Sequence, residues 1–390
     1  MKHLSTLIGT SLAATLLISC GGGGNGLSPS TPASDVVPAS QAQNDRSGPH
    51  EYLYVVNQSS DNVSGYEINV QSGALRQLKY SPFAGGSQPS GLAVDPAGKY
   101  VYVSNQNYPH ADGTVYGYTI DERNGGLTQV LGSPYTEGDN PYGLAISPGA
   151  GRFAYVVNVF SDNVSAYKIN TYAGSLKPVA GSPFSSGGGE PEEIAIDPSG
   201  KFAYVPDTES NVVSANTIDP VSGALTEVGT YKAGTTPNFA SVDHTDAFLY
   251  VTNANSDNVS AYKINQSSGA LTPVSGSPFK VSGSVGGEAI SPTANFLYVI
   301  QSSPQGVDAF AINPSSGALK KVSGSPFAAG TGPDHIAADP TGKFVYVANT
   351  GSDNLSAYTV NPSSGALITV SGSPFRAGKV PLAIGIALPH

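Results

Sequence analysis

Few side chains in this sequence suit acid–base or ligand chemistry, and they gather in short segments. Glu190, Glu192 and Glu193 share the stretch Glu190-Pro191-Glu192-Glu193. Carboxyls this close can raise one another's pKa and so supply a general base, contact a cation or polar ligand, or simply face water. Asp334-His335 follows Pro333. Imidazole changes charge near neutrality, so His335 is a candidate base or ligand as well as a candidate structural residue. Tyr142 and Asn238 follow prolines at comparable places and offer neutral hydrogen bonds. Tyr108 and His110 lie in an insertion, residues 107–113, that either overhangs the same region or is neutral loop growth. His335 and Glu193 are therefore the catalytic candidates. Glu190, Glu192, Asp334, Tyr142, Asn238, Tyr108 and His110 are the ligand-binding candidates.

Other chemistries lack their residues. There is no His-Glu-x-x-His, no paired-cysteine metal spacing and no glycine-rich phosphate loop leading into a helix. No metal and no cofactor are expected. Asp61, Asp162, Asp257 and Asp353 recur in Ser-Asp-Asn segments, but each stands alone, without the dense oxygen ligation calcium requires. Local Asx-turn capping is the expected role. A net charge of −10 with 18 Lys+Arg over 390 residues disfavours nucleic acid.

The elements that must carry these residues are strands. An aromatic-valine pair recurs at Tyr54, Tyr102, Tyr155, Tyr204, Tyr250, Tyr298 and Tyr346, at spacings of 48, 53, 49, 46, 48 and 48 residues. That period, filled with short β runs and Gly/Pro turns, is what a propeller blade requires. Each repeat reads as four strands, apolar on both faces as blade-to-blade packing demands. The domain starts with a second-type strand, residues 52–57, and ends with an unpartnered first-type strand, residues 382–388. Pairing these two closes the ring and leaves no inner edge. The fold predicted is all-β: a seven-bladed β-propeller of four-stranded antiparallel blades over residues 51–390, closed by its C-terminal strand. Blade 4 breaks the pattern, with Thr230-Tyr231-Lys232 in place of Ser-Pro-Phe and Pro206-Asp207 in place of a small residue and Asn.

Residues 1–20 carry Lys2, an apolar stretch from Leu4 to Ile18, and then Ser19-Cys20. This reads as a secretory signal. Leu17-Ile18-Ser19-Cys20 resembles the bacterial lipobox, which implies lipidation of Cys20 and membrane attachment through it. Residues 21–50, rich in Gly, Ser and Pro, read as a flexible tether. The expectation is an exported lipoprotein of the cell envelope, at the outer membrane or its periplasmic face, monomeric, with a small ligand or a protein as partner at the channel face.

Tyr250-Val251-Thr252-Asn253, Tyr346-Val347-Ala348-Asn349 and the Ser-Asp-Asn-Val-Ser-Ala-Tyr segments at 161–167 and 256–262 resemble the YVTN-repeat, lactonase-like (6-phosphogluconolactonase-like) seven-bladed propeller family. Strand order puts the loops from strand four to strand one, and those from strand two to strand three, on one face near the central channel, where propeller sites usually lie. Its enzymes carry Pro-Arg-His and then a second His before Pro. Here Pro333-Asp334-His335 and Asp339-Pro340 stand at those places, so His335 matches, Asp334 replaces the Arg and Asp339 replaces the second His. An Asp there repels a phosphate or carboxylate that an Arg would bind. Two functions stay open: an exported, lipid-anchored binding or interaction module, taken as the leading reading, and a lactonase-like hydrolase acting on a neutral lactone. Catalysis would bring Glu193 and His335 together with a cationic or metal electrophile.

Overall fold

The computed structural model describes residues 50–107 and 112–389. Cys20, the lipobox and residues 21–49 of the tether, together with Tyr108 and His110, lie outside the described residues.

Seven antiparallel sheets form the molecule, each ordered from an inner strand outward through strands two, three and four. The second strands are the core. Glu51–Asn57, Tyr100–Asn105, Phe153–Asn158, Phe202–Asp207, Phe248–Asn253 and Phe344–Asn349 are buried along their whole length. The seven repeated tyrosines are fully buried. Apolar residues on both faces of each blade pack against its two neighbours, so the core is divided into seven clusters between blades.

Closure follows the sequence expectation. The last strand, Pro381–Ala387, is the inner strand of blade 1 and pairs antiparallel with Glu51–Asn57, with Leu53 opposite Ile386 and Val55 opposite Ile384. The crossover that delivers it is pinned by Gly378 N–H donating to Asn57 Oδ1 at 3.0 Å and Lys379 N–H to Ser60 Oγ at 2.8 Å.

Two details differ from the sequence reading. The Ser-Pro-Phe that follows the fourth strand, expected from its Pro only to stop that strand, does more. Its Phe opens a two-residue strand, such as Phe83–Ala84 or Phe375–Arg376, that returns to pair with strand three. Nor are the repeated aspartates only local caps. Asp61, Asp162 and Asp353 take left-handed backbone conformations, and their carboxylates accept the backbone N–H of Gln88, Glu190 and Val380, each about 27 residues onward, at 2.8, 2.8 and 3.0 Å. They hold the crossover into the next blade. Each recipient also has positive φ, a conformation that needs such support in a non-glycine residue.

Blade 4 is the irregular one. Its outer strand runs unbroken over Leu225–Lys232 with a bulge beside Asn216, and its inner strand is reduced to Ala195–Ile196.

Candidate active site at the mouth of the channel

Aligning the seven inner strands on their ladders gives each a common register: a Pro (Val285 in blade 6), then three residues that face or flank the axis. The third position of the register holds Gly91, Gly143, Glu193, Phe239, Gly287, His335 and Ala383 in blades 2 to 7 and 1. Four blades are small there and three project a functional or aromatic side chain. The result is a cavity of about 170 Å³ on the crossover face, lined by all seven blades. Glu193, Glu288, Asp334, His335, Tyr142 and Phe239 are on its wall, with Leu92, Leu144, Ile194 and Leu382 supplying apolar surface. Among the described residues, no Lys or Arg lines it.

Blade 4 interrupts its inner ladder around Glu193. Only Pro191 still pairs, opposite Asp207. The freed Glu192 carbonyl accepts the Gly143 N–H of blade 3 at 3.0 Å. Gly143 is required at this point: a Cβ on it would lie 2.5 Å from Glu193 Oε1 and 2.6 Å from the Glu192 carbonyl oxygen. Glu193 Oε1 accepts the Ile194 N–H at 3.1 Å. The side chain keeps part of its surface open, but protein surrounds it. Burial first, and the neighbouring Glu192 carboxylate second, push it up to about 7 against the pull of the Ile194 N–H.

His335 stands with its ring edge to the Phe239 ring, centroids 5.8 Å apart. Ile384 N–H donates to His335 Nδ1 at 3.4 Å, which assigns the ring proton to Nε2. Burial pushes His335 down to about 4, so at neutral pH it is an uncharged imidazole with one N–H to offer. Burial likewise raises its neighbour Asp334 to about 6.

The remaining sequence candidates divide. Tyr142 is on the wall, its hydroxyl pushed well up by burial and by Asp334, Glu192 and Glu193. Glu192 is off the wall but within electrostatic reach of Asp334; burial, then Asp334 and Glu190, raise it to about 7. Glu190 is exposed on the rim, where its backbone is held by Asp162. Asn238 turns into its blade, accepting from Thr252 Oγ1 at 3.0 Å, and does not line the cavity. Asp339 is buried at the far end of its strand, where its Oδ1 caps Phe344 N–H at 2.6 Å; it takes no part in the site. Among the described residues no three His, Cys, Asp or Glu side chains are grouped to hold a metal. Glu193 and His335 therefore share one cavity, while the cationic electrophile that catalysis was expected to need does not line it.

Sequence reasoning passed over Glu288 and Phe239. The register could have found Glu288: it occupies the fourth position, where the other blades carry Leu92, Leu144, Ile194, Ala240, Ile336 and Ile384.

The family model described as "Lactonase, 7-bladed beta-propeller" matches residues 50–188, 151–286 and 279–380. A 118-residue segment is 33% identical to a 6-phosphogluconolactonase of Formosa agariphila, covering 29% of this chain and 32% of that relative, so the match spans about a third of its length. Among solved structures, a candidate 6-phosphogluconolactonase of Bacteroides uniformis superimposes with a TM-score of 0.76 at 18% identity, over 87% of this chain and 100% of that one. The periplasmic gluconolactonase of Pseudomonas aeruginosa gives 0.72 at 23% identity, over 87% and 99%. At such identities the two structures speak to the fold. The family match, which runs through nearly all of the propeller, establishes that the chain belongs to the lactonase seven-bladed β-propeller family.

Proposed function

We propose that the protein is a lactone hydrolase working at the mouth of the channel, on lactones that carry neither phosphate nor carboxylate. The observation that carries this is the convergence of Glu193 and His335 on one cavity whose wall, among the described residues, has no Lys or Arg. Family membership and the likeness to lactonases support the hydrolase over the interaction module, which gains nothing from the comparisons.

A carboxyl at about 7 is half ionised at neutral pH, the condition a general base needs. Glu193 takes a proton from water as the water oxygen bonds to the lactone carbonyl carbon. His335 Nε2–H donates to the carbonyl oxygen as it gains charge, the part a neutral imidazole can play in a dry site. The ring C–O bond then breaks, the departing oxygen recovers a proton from Glu193, and a hydroxy acid is released. Asp334 on the wall works against binding of an anionic group. The signal-like sequence of residues 1–20 and the lipobox-like Leu17-Ile18-Ser19-Cys20 support export of the protein and its attachment through Cys20.

The test is base uptake during hydrolysis of a panel of phosphate-free lactones by wild type and His335→Ala. Turnover that falls at least a hundredfold in the variant supports the assignment. If no lactone is opened by wild type, the hydrolase reading fails and an interaction module takes its place.

A further inference from the structure

Glu288 is a carboxylate at a position that the other six blades fill with an aliphatic residue. It is 7% exposed, it lines the cavity, and neither of its oxygens has a hydrogen-bond partner among the described residues. Ser241 of blade 5 approaches it without closing a hydrogen bond. A buried carboxyl without a partner costs stability, and the neighbouring blades show that an aliphatic side chain fits the place. The cavity holds two further carboxyls, Glu193 and Asp334, and an aromatic ring, Phe239, with no Lys or Arg among the described residues to balance them. Several acceptors, an aromatic face and no resident cation are the surroundings that stabilise an organic ammonium group. A metal ion is a poorer fit, since no ligand trio is preformed among the described residues.

We propose that this cavity selects a substrate bearing a protonated amine, with the ammonium group held by Glu288 and Asp334 beside the Phe239 ring. This rests on the lactonase reading and names the class of lactone: an amino-sugar lactone in preference to its hydroxyl counterpart. The ammonium supplies the N–H donors that the Glu288 oxygens lack. Burial raises the Glu288 carboxyl well above its ordinary range, so it gives up its proton as the cation arrives and binding expels a proton.

Two arms test this. In the first, glucosamine and glucose are titrated calorimetrically into wild type, Glu288→Gln and Glu227→Gln, in two buffers of different ionisation enthalpy. Glutamine keeps the shape and removes the charge, and a melting curve checks each fold. Glu227 lies on the outer strand of blade 4, away from the channel. Expected are binding of glucosamine at least tenfold tighter than glucose, proton release with glucosamine alone, and a preference cut at least fivefold by Glu288→Gln but unchanged by Glu227→Gln. In the second arm, kcat/KM is compared for gluconolactone and 2-amino-2-deoxygluconolactone, with a tenfold advantage expected for the amine. Equal binding of the two sugars, or an amine preference that survives Glu288→Gln, overturns the proposal. Absence of turnover on both lactones defeats the hydrolase reading while the binding arm still decides this one. Turnover without amine preference defeats this one alone.

Discussion

The Tyr346 hydroxyl donates to the Gly73 carbonyl at 3.0 Å, tying the last blade to the first across the point where the ring closes. The same bond recurs from Tyr54 to Gly125, Tyr102 to Gly174, Tyr155 to Gly223, Tyr204 to Gly269 and Tyr250 to Gly317, at 2.7 to 3.3 Å. In each case the acceptor is the positive-φ glycine of the following blade's outer turn. The tyrosine of the repeat is thus both core and staple: its ring fills the blade interface and its hydroxyl satisfies a turn carbonyl. Tyr298 is the exception, buried with its hydroxyl unpartnered.

Removing one staple should therefore cost a hydrogen bond, and removing the unused hydroxyl should not. Tyr346→Phe is expected to lose about 1 kcal/mol, the usual net value of a buried neutral hydrogen bond. Tyr298→Phe is expected to be neutral or slightly stabilising. Melting temperatures of the two variants beside wild type decide it, and equal losses would remove the staple from the account.

The approach of Gly143 to Glu193 predicts a catalytic lesion made by one methyl group. Gly143→Ala must push back either the Glu193 carboxylate or the Glu192 carbonyl. Misplacement of a base by about 1 Å costs about a hundredfold in rate. Gly126→Ala, whose new methyl would meet only the Asn124 side chain, is the control. Lactone turnover should fall at least tenfold in the first and stay unchanged in the second.

Repetition made the fold readable from the sequence. Seven Tyr-Val pairs gave the blade number, and the unmatched strands at the two ends gave the closure, because a ring of sheets has one way to leave no inner edge. The site was readable only in part. Glu193 and His335 stood out by residue type within variable loops, and both do reach the cavity. Asn238 belongs to the same loops but bonds inward to Thr252, and whether a side chain beside the axis faces it or its own blade depends on bulges that propensity does not encode. The repeated aspartates misled for a related reason. The partners of Asp61, Asp162 and Asp353 are backbone N–H groups on the next crossover, and long-range pairing of that kind leaves no local signature.

Activity should follow the ionisation of Glu193. The base works as a carboxylate, so kcat/KM should rise with pH through about 7 and level off above it. His335, held near 4, stays neutral across this range and should add no inflection near its ordinary value. A pH–rate profile with a falling limb near 6.5 or a flat one would contradict these roles, and Glu193→Gln should abolish the rise together with most of the rate.

A second buried carboxyl, away from the channel, predicts a stability effect of definite sign. Glu137 sits in the crossover from blade 2 to blade 3, at 7% exposure. Tyr167 and Ser165 approach its carboxyl, but neither oxygen closes a hydrogen bond, and burial pushes it up to about 7. Its folded value exceeds the unfolded one, so the native state binds this proton more tightly. The resulting stability is fully present below about 4.5 and is lost as pH rises through about 7. Glu137→Gln removes the ionisation and keeps the shape. The variant should melt at nearly the wild-type temperature at pH 5 and clearly above it at pH 8. A gap that is constant across that range, or one that widens toward acid, would mean that Glu137 is charged and paired in the folded protein.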